Sequence, residues 1–579
     1  MKKPFRIATS VAALALAGVL TACTATGVTT QTTTTSSTGT TVAAGTAAIT
    51  VAEATAANQA ADVATLDVDA STAVTITMSG SLASADGDGV TIAGADVTIT
   101  APGTYVLTGE LNGSVVVDSA AEGQVTLVLN GASITSTTGA AIAITQADDV
   151  AVILADGTSN ALTSASSYSD TTSEDAPNAA LFSMADLTIG GTGSLTVTAP
   201  SLDGIASKDG LVIESGTITV HADDDGIRGK DYLLVNGGTL EITSGGDALK
   251  SDNDTDADRG WIQIAGGQIT LTAGGDGLAA ATDAIISGGT LVGTTGGGSG
   301  ATLAADASAK GVKAGSNVVI GGGNINLNSA DDTVHSDSVV SITDGTLILA
   351  TGDDGVHADA DLTVSGGSVT VTTSEEGLEG NDITISGGSV DVTSADDALN
   401  VSAGDTTTST GGGGGGGDEV IDGALTISGG TVTLNASGDG LDSNGDALIT
   451  GGTVIVYGPT TDGNGALDVN GTFLVNGGTL IALGSSGMAE SPDTSSTQGW
   501  VQASLSGSAG TTVSITQSNA TIAQFVAKKA FANVVYSSSA ITSGQTYTVT
   551  AGSSSVSATA GQATAGGMGG GGQGGAPRR

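Results

Sequence analysis

From residue 202 to residue 400 a two-residue turn signal returns at a nearly fixed interval, as Asp203-Gly204, Asp225-Gly226, Asp247-Ala248, Asp276-Gly277, Lys310-Gly311, Asp332-Thr333, Asp354-Gly355, Glu376-Gly377 and Asp397-Ala398. Five of the eight steps are 22 residues and a sixth is 21. Glycine pairs keep the same beat, among them Gly237-Gly238, Gly266-Gly267, Gly322-Gly323 and Gly366-Gly367. A chain built this way cannot close a core within one repeat, so each repeat must bury a face against the next.

Alignment on the glycine pairs puts apolar residues in fixed columns. Leu233, Ile262, Val318, Val340, Leu362 and Ile383 form one, and Leu240, Ile269, Ile325, Leu347, Val369 and Val390 another. A further column, Ile227, Leu249, Leu278, Val312, Val334, Val356, Leu378 and Leu399, follows the acidic turns. Within each repeat the apolar spacing is two, with polar residues between, which is strand alternation. Three short strands and three turns per repeat predict an all-β chain, a single-stranded parallel β-helix with coils of about 22 residues. A propeller or sandwich needs antiparallel hairpins and longer repeats.

The flanks differ in composition. Lys2, Lys3 and Arg6 precede an apolar run ending in Leu20-Thr21-Ala22-Cys23, so residues 1–22 read as a signal peptide. The small residues before the single cysteine resemble the lipobox of bacterial lipoproteins. That resemblance implies lipidation at Cys23 and a chain exported and anchored by lipid at the cell surface; a plain secretory signal is the alternative. Residues 23–65 are a Thr-, Ser- and Ala-rich linker, and 66–498 hold the β-helix, interrupted at 404–418 by an insertion with seven consecutive glycines that is expected to be disordered. Residues 499–560 are expected to form a small β cap over the open end, and 561–579 a glycine-rich tail. A net charge of -45 argues against nucleic acid as a partner and for small cations.

The charge is organised. Acidic doublets occupy the turn at Asp224-Asp225, Asp331-Asp332, Asp353-Asp354, Glu375-Glu376 and Asp396-Asp397, with single acids at Asp203, Asp247, Asp276 and Asp439. On stacked coils about 4.8 Å apart, neighbouring unit charges repel by about 0.9 kcal/mol in water and about 3.5 kcal/mol at an effective dielectric of 20. Such a column calls for counter-ions, and hard oxygen ligands at flexible spacing suit Ca2+. The plainer alternative is that Asp-Gly only makes the turn. Asp252 and Asp254 open a second oxygen-rich loop that lacks the turn glycine and closing glutamate of an EF-hand.

One position beyond each turn apolar residue lies an outward column containing Arg228, Lys250, Lys313, His335, His357, Glu379, Asn400 and Asp442. Arg228, Lys250 and Lys313 either balance the acidic column or form a cationic face for the carboxylates of an acidic polymer. Tyr232 and Trp261, equivalent on adjacent coils, are either a platform for a sugar face or shielding for the stack. His335 and His357, with Asp332 and Asp354, suggest a transition-metal site or two solvated turn histidines. No Ser/His/Asp or Cys/His nucleophile set is apparent.

Asp223-Asp224-Asp225-Gly226-Ile227-Arg228-Gly229-Lys230, the run from Gly246 to Asp254, Glu375-Glu376-Gly377-Leu378-Glu379-Gly380 and Tyr457-Gly458-Pro459-Thr460 resemble bacterial surface proteins described as carbohydrate-binding domain-containing. The resemblance implies a right-handed parallel β-helix similar to pectate lyases, with calcium along the stack and binding of polysaccharide such as polygalacturonate or cellulose. The expected function is therefore a monomeric, calcium-stabilised surface lipoprotein that captures polysaccharide without turning it over. A pectate-type lyase with Arg228 or Lys250 as base and a purely structural surface protein are the alternatives.

Overall fold

In the computed structural model the described residues are 45–68, 71–168, 173, 175–305, 307–403 and 420–564. The signal peptide, Cys23, the start of the linker, the 404–418 insertion and the tail beyond residue 564 lie outside them. The apolar columns form short strands that pair in parallel with the equivalent strand one circuit on. In the first ladder Leu233 pairs with Ile262, Val318 with Val340 and Val340 with Leu362. The second aligns Leu240 with Ile269 and Leu347 with Val369. The third aligns Ile227 with Leu249, Val312 with Val334 and Val356 with Leu378. Alternation sends every second side chain inward, and one continuous apolar core extends from Ile76 to Val535. Each fully buried Val, Leu or Ile contributes about 1.5–3 kcal/mol relative to exposure.

The ladders do not stay separate. The strand Gln124–Thr135 pairs through Val125–Leu129 with Asp149–Leu154, and through its end with Ser159–Thr163. The strand Asn317–Ser329 pairs through Asn317–Ile320 with Asp283–Ile286, and through Asn324–Ser329 with Thr290–Thr295. Between these two long strands the first ladder runs through Leu187–Gly191, Gly210–Ile213, Tyr232–Val235 and Trp261–Ile264. The second runs through Ser194–Ala199, Thr217–Ala222, Thr239–Ser244 and Gln268–Ala273. The pairing returns on itself, so in hydrogen-bonding topology this is a closed parallel β-barrel of fourteen strands, with the rest of the 44-stranded sheet peripheral to it.

The expected right-handed, single-stranded parallel β-helix with separate ladders is corrected accordingly. The reason lies at the corners. Gly131 and Gly323 have φ of +70° and +85°, and the register shifts around Gly321, so each strand bends through its corner and keeps pairing where a turn glycine reads as its end. At Gly323 an added Cβ would lie 3.0 Å from the Gly288 carbonyl oxygen, so positive φ and close backbone approach both demand glycine there.

Both ends depart from parallel pairing. Val74–Gly80 and Leu82–Ala85 form an antiparallel hairpin, as do Val90–Ala93 and Asp96–Ile99. At the other end Phe531–Ser537 pairs antiparallel with Thr479–Gly484 and with Trp500–Gly507. A separate four-stranded sheet contains Thr512–Gln517, Ala520–Val526, Thr546–Ala551 and Ser554–Thr559. Val513, Phe531, Tyr536 and Val549 build a core here that includes Tyr457 and Leu483 of the last circuits.

Residues 45–65, inside the expected linker, lie against the outside of the sheet. Thr50 caps the helix Val51–Ala57 in a capping box with Glu53, and Ala54 packs on Ile285 and Val319. The backbone N–H of Ile49 donates to Ser341 Oγ (3.0 Å), that of Asp62 to Tyr232 Oη (2.7 Å) and that of Ala64 to Thr188 Oγ1 (2.9 Å). The segment thus straps the circuits in the reverse of their order.

Candidate functional site

The third ladder carries the candidate chemistry on its outer face. Its register places Arg228 beside Lys250, Lys313 beside His335, His335 beside His357, His357 beside Glu379, Glu379 beside Asn400, Asn400 beside Asp442 and Asp442 beside Asp468. The turn before each strand supplies the acids.

These acids have divided roles. Asp225 Oδ1 accepts the Asp247 N–H (2.9 Å), Asp247 Oδ1 the Asp276 N–H (2.8 Å), Asp276 Oδ1 the Lys310 N–H (2.7 Å) and Asp332 Oδ1 the Asp354 N–H (3.1 Å). One oxygen of each therefore ties down the next turn, which satisfies a backbone donor that the corner would leave unpaired. Asp203, Asp225, Asp276, Asp332 and Asp354 are buried, whereas Asp224, Asp353, Glu375 and Asp396 are exposed along the rim.

The remaining oxygens of the first circuits face cations built into the chain. Arg228 grips Asp252 with two donors and lies 3.6 Å from Asp203. Lys250 Nζ lies 3.0 Å from Asp225 and 2.9 Å from Asp247; Lys310 Nζ lies 2.8 Å from Asp331 and 2.6 Å from Asp332; Lys313 reaches Asp276 at 4.0 Å. The residues expected to grip a polymer and those expected to grip calcium thus largely neutralise each other. Burial favours the neutral amine of Lys250, but the hydrogen bond and charge of Asp247, with Asp225, outweigh it and hold its pKa above the usual lysine value. Burial opposes the charge on Arg228 too, yet Asp252 and Asp203 raise its pKa. Neither group is a base at neutral pH.

Among the described residues four groups can chelate a divalent ion, their ligand atoms lying within 4.8 Å of one another: Asp203, Asp224 and Asp225; Asp331, Asp332 and Asp353; Asp332, His335 and His357; and Asp354, His357 and Glu379. Asp252 is taken by Arg228, and Asp254 is exposed on a loop held instead by Asn253, whose Oδ1 accepts the N–H groups of Thr255 and Asp256.

Beyond Lys313 the column holds no lysine or arginine among the described residues. Asn400 Nδ2 donates to Glu376 Oε2 (2.6 Å), while its Oδ1 is buried and unpartnered, with Asp442 next in register. Burial, reinforced by neighbouring carboxylates, pushes Asp397 up to about 6, Asp439 to about 7 and Asp442 to about 8. Glu490, half-buried, is raised to about 8 by desolvation and by the charge of Asp468. Glu379 and Asp442 were visible in the outward column; Asp468 and Glu490 reach this face across irregular spacing that carries no sequence signal.

The aromatic pair is corrected. Tyr232 and Trp261 do stack on adjacent circuits, with centroids 5.1 Å apart and planes at 15°. They are 1% and 4% exposed, however, and pack with Val212 and Ala61. Tyr232 Oη donates to Asp186 Oδ1 (2.6 Å) and accepts the Asp62 N–H. Covered by the strap, this pair is no open sugar platform, because a period-two pattern does not show that another segment lies over its outward face.

A carbohydrate-binding domain-containing protein of Acetivibrio thermocellus is 35% identical over 137 residues, 23% of this chain and 48% of the relative, so the chain spans about half the length of the relative it matches. The polysaccharide lyase-like protein from C. thermocellum, solved as a gadolinium derivative, is 35% identical, covering 39% of this chain and 92% of that one with a TM-score of 0.38. The pectate-lyase-like part of the resemblance gives way to the closed parallel barrel. The family of carbohydrate-binding domain-containing proteins matches residues 93–355 and 353–570. Those two segments take in most of the sequence, and the chain belongs to that family.

Proposed function

We propose that this chain binds acidic polysaccharide without cleaving it, along the face formed by the third ladder and its acidic turns, with Ca2+ joining protein carboxylates to polymer carboxylates. The observation that carries the reading is the buried, unpartnered Asn400 Oδ1 beside Asp442, in the part of the column that lacks lysine and arginine. An amide oxygen and ionised carboxylates are acceptors only, and a hard cation satisfies them. Asp397, Asp439 and Asp442 would supply further oxygens, and the exposed Glu375 and Asp396 would line the approach. The ion pairs of Arg228 and Lys250 speak against the lyase alternative, which needs an unprotonated base. Lipidation at Cys23 would hold the chain at the cell surface, where capture of a polymer is useful.

The test is retention of the full chain on polygalacturonate in Ca2+ and in chelator, together with the ultraviolet absorbance of unsaturated uronate. Calcium-dependent retention with flat absorbance is expected, and Asp442→Asn should weaken retention about tenfold or more. Rising absorbance that chelator abolishes would overturn the reading in favour of a lyase. Retention indifferent to calcium would remove the bridging ion.

A further inference from the structure

We propose that His335, His357 and Asp332 form a binding site for one divalent transition-metal ion of the zinc and cobalt class, distinct in chemistry from the oxygen-only calcium positions. The two imidazoles sit in register on adjacent circuits, with ring centroids 4.9 Å apart and planes at 76°. Both Nδ1 atoms turn toward the same carboxylate oxygen: Asp332 Oδ2 lies 2.8 Å from His335 Nδ1 and 3.8 Å from His357 Nδ1. Asp354 Oδ2 lies 3.2 Å from His357 Nδ1 but belongs to the neighbouring group with Glu379, so the fourth position of a tetrahedral ion is left to solvent. A tetrahedral ion with bonds of about 2.0–2.1 Å needs ligand atoms about 3.3 Å apart, and these separations bracket that value.

The second observation is on the far side of the rings. His335 Nε2 lies 3.2 Å from Asp337 Oδ1 and His357 Nε2 lies 3.5 Å from Asp359 Oδ1. Each imidazole therefore has a carboxylate on the nitrogen that points away from the cluster, the arrangement that fixes the tautomer of a metal-bound histidine and raises its basicity. Two solvated turn histidines would not call for that repeat on both circuits. The nitrogen ligands exclude Ca2+ and Mg2+ as the preferred occupants, since both take oxygen. Lys310 Nζ, 2.6 Å from Asp332 Oδ2, is the built-in competitor, and Asp331 at 2.8 Å gives it an alternative partner when the ion enters.

The test is titration of the full chain with Co2+, then Zn2+, in metal-stripped buffer containing no polysaccharide, following visible absorption and heat. The absence of glycan separates this outcome from the fate of the calcium reading. One equivalent of Co2+ should give tetrahedral absorption bands that Zn2+ displaces and excess Ca2+ does not. His335→Asn and His357→Asn should each weaken binding on the order of 100-fold, Asp337→Asn and Asp359→Asn about tenfold, and the exposed His221→Asn not at all. Lys310→Met leaves every ligand in place and should tighten binding; circular dichroism verifies that each variant is folded. Co2+ binding that survives in the folded double variant His335→Asn, His357→Asn would overturn the proposal, as would displacement by Ca2+, absence of binding to the parent chain, or unchanged affinity in Lys310→Met.

Discussion

At the scale of single residues, the turn aspartates show why an acidic column is not simply a source of repulsion. Asp225 gives one oxygen to the Asp247 N–H and the other to Lys250. Asp225→Ala removes both interactions, leaves the Asp247 N–H unpaired and leaves Lys250 with Asp247 alone, so a loss of about 2 kcal/mol is expected. Asp225→Asn keeps an acceptor oxygen and should lose less. Urea unfolding checks this as a lowered midpoint at unchanged slope. The sequence marked the acids by their recurrence, but their split duty depended on which oxygen met the next turn. That contact joins residues about one circuit apart and is invisible to local pattern.

At the scale of elements, the strap and the long corner strands do what the repeats alone do not. The strap crosses many circuits and covers the Tyr232–Trp261 stack, so local opening of residues 58–66 should depend on the Tyr232 hydroxyl. Tyr232→Phe loses the bonds to Asp186 and Asp62 and is expected to lower the local opening free energy by about 1 kcal/mol per lost bond. Amide exchange should quicken in residues 58–66 and stay unchanged in the core strands around Val318 and Val340. Equal acceleration in both regions would mean that the strap opens only with the whole sheet. Strand alternation was legible in the sequence around all three ladders; continuation of pairing through Gly131 and Gly323 was not, because glycine signals a turn and a bulge in the same way.

At the scale of the whole molecule, charge is unevenly compensated. Arginine and lysine neutralise the early circuits, whereas Asp397, Asp439, Asp442 and Glu490 share a region where burial raises their pKa values to between about 6 and about 8. A carboxyl group with a raised folded-state pKa binds protons more tightly in the folded chain than in the unfolded one. Its favourable contribution is present at low pH and is lost as pH rises from about 4 toward the folded value. In chelator, thermal stability should therefore be higher at pH 5 than at pH 8, falling through that window. Saturating Ca2+ should largely remove the difference by stabilising the ionised acids. Scanning calorimetry at both pH values, with and without Ca2+, checks this; greater stability at pH 8 in chelator would contradict the assignment.

By itself the sequence determined the parallel stacking of short strands, the inward columns such as Leu233 to Ile383, and the alignment of Arg228, Lys250, His335 and His357, because each is a consequence of a side-chain period of two and a repeat near 22 residues. Only the tertiary structure decided that the sheet closes on itself, that Tyr232 and Trp261 lie under the strap, and that Arg228 and Lys250 already hold partners. Those outcomes depend on contacts between residues tens to hundreds of positions apart. A repeat fixes which residues are equivalent, but only the folded chain fixes what stands opposite them.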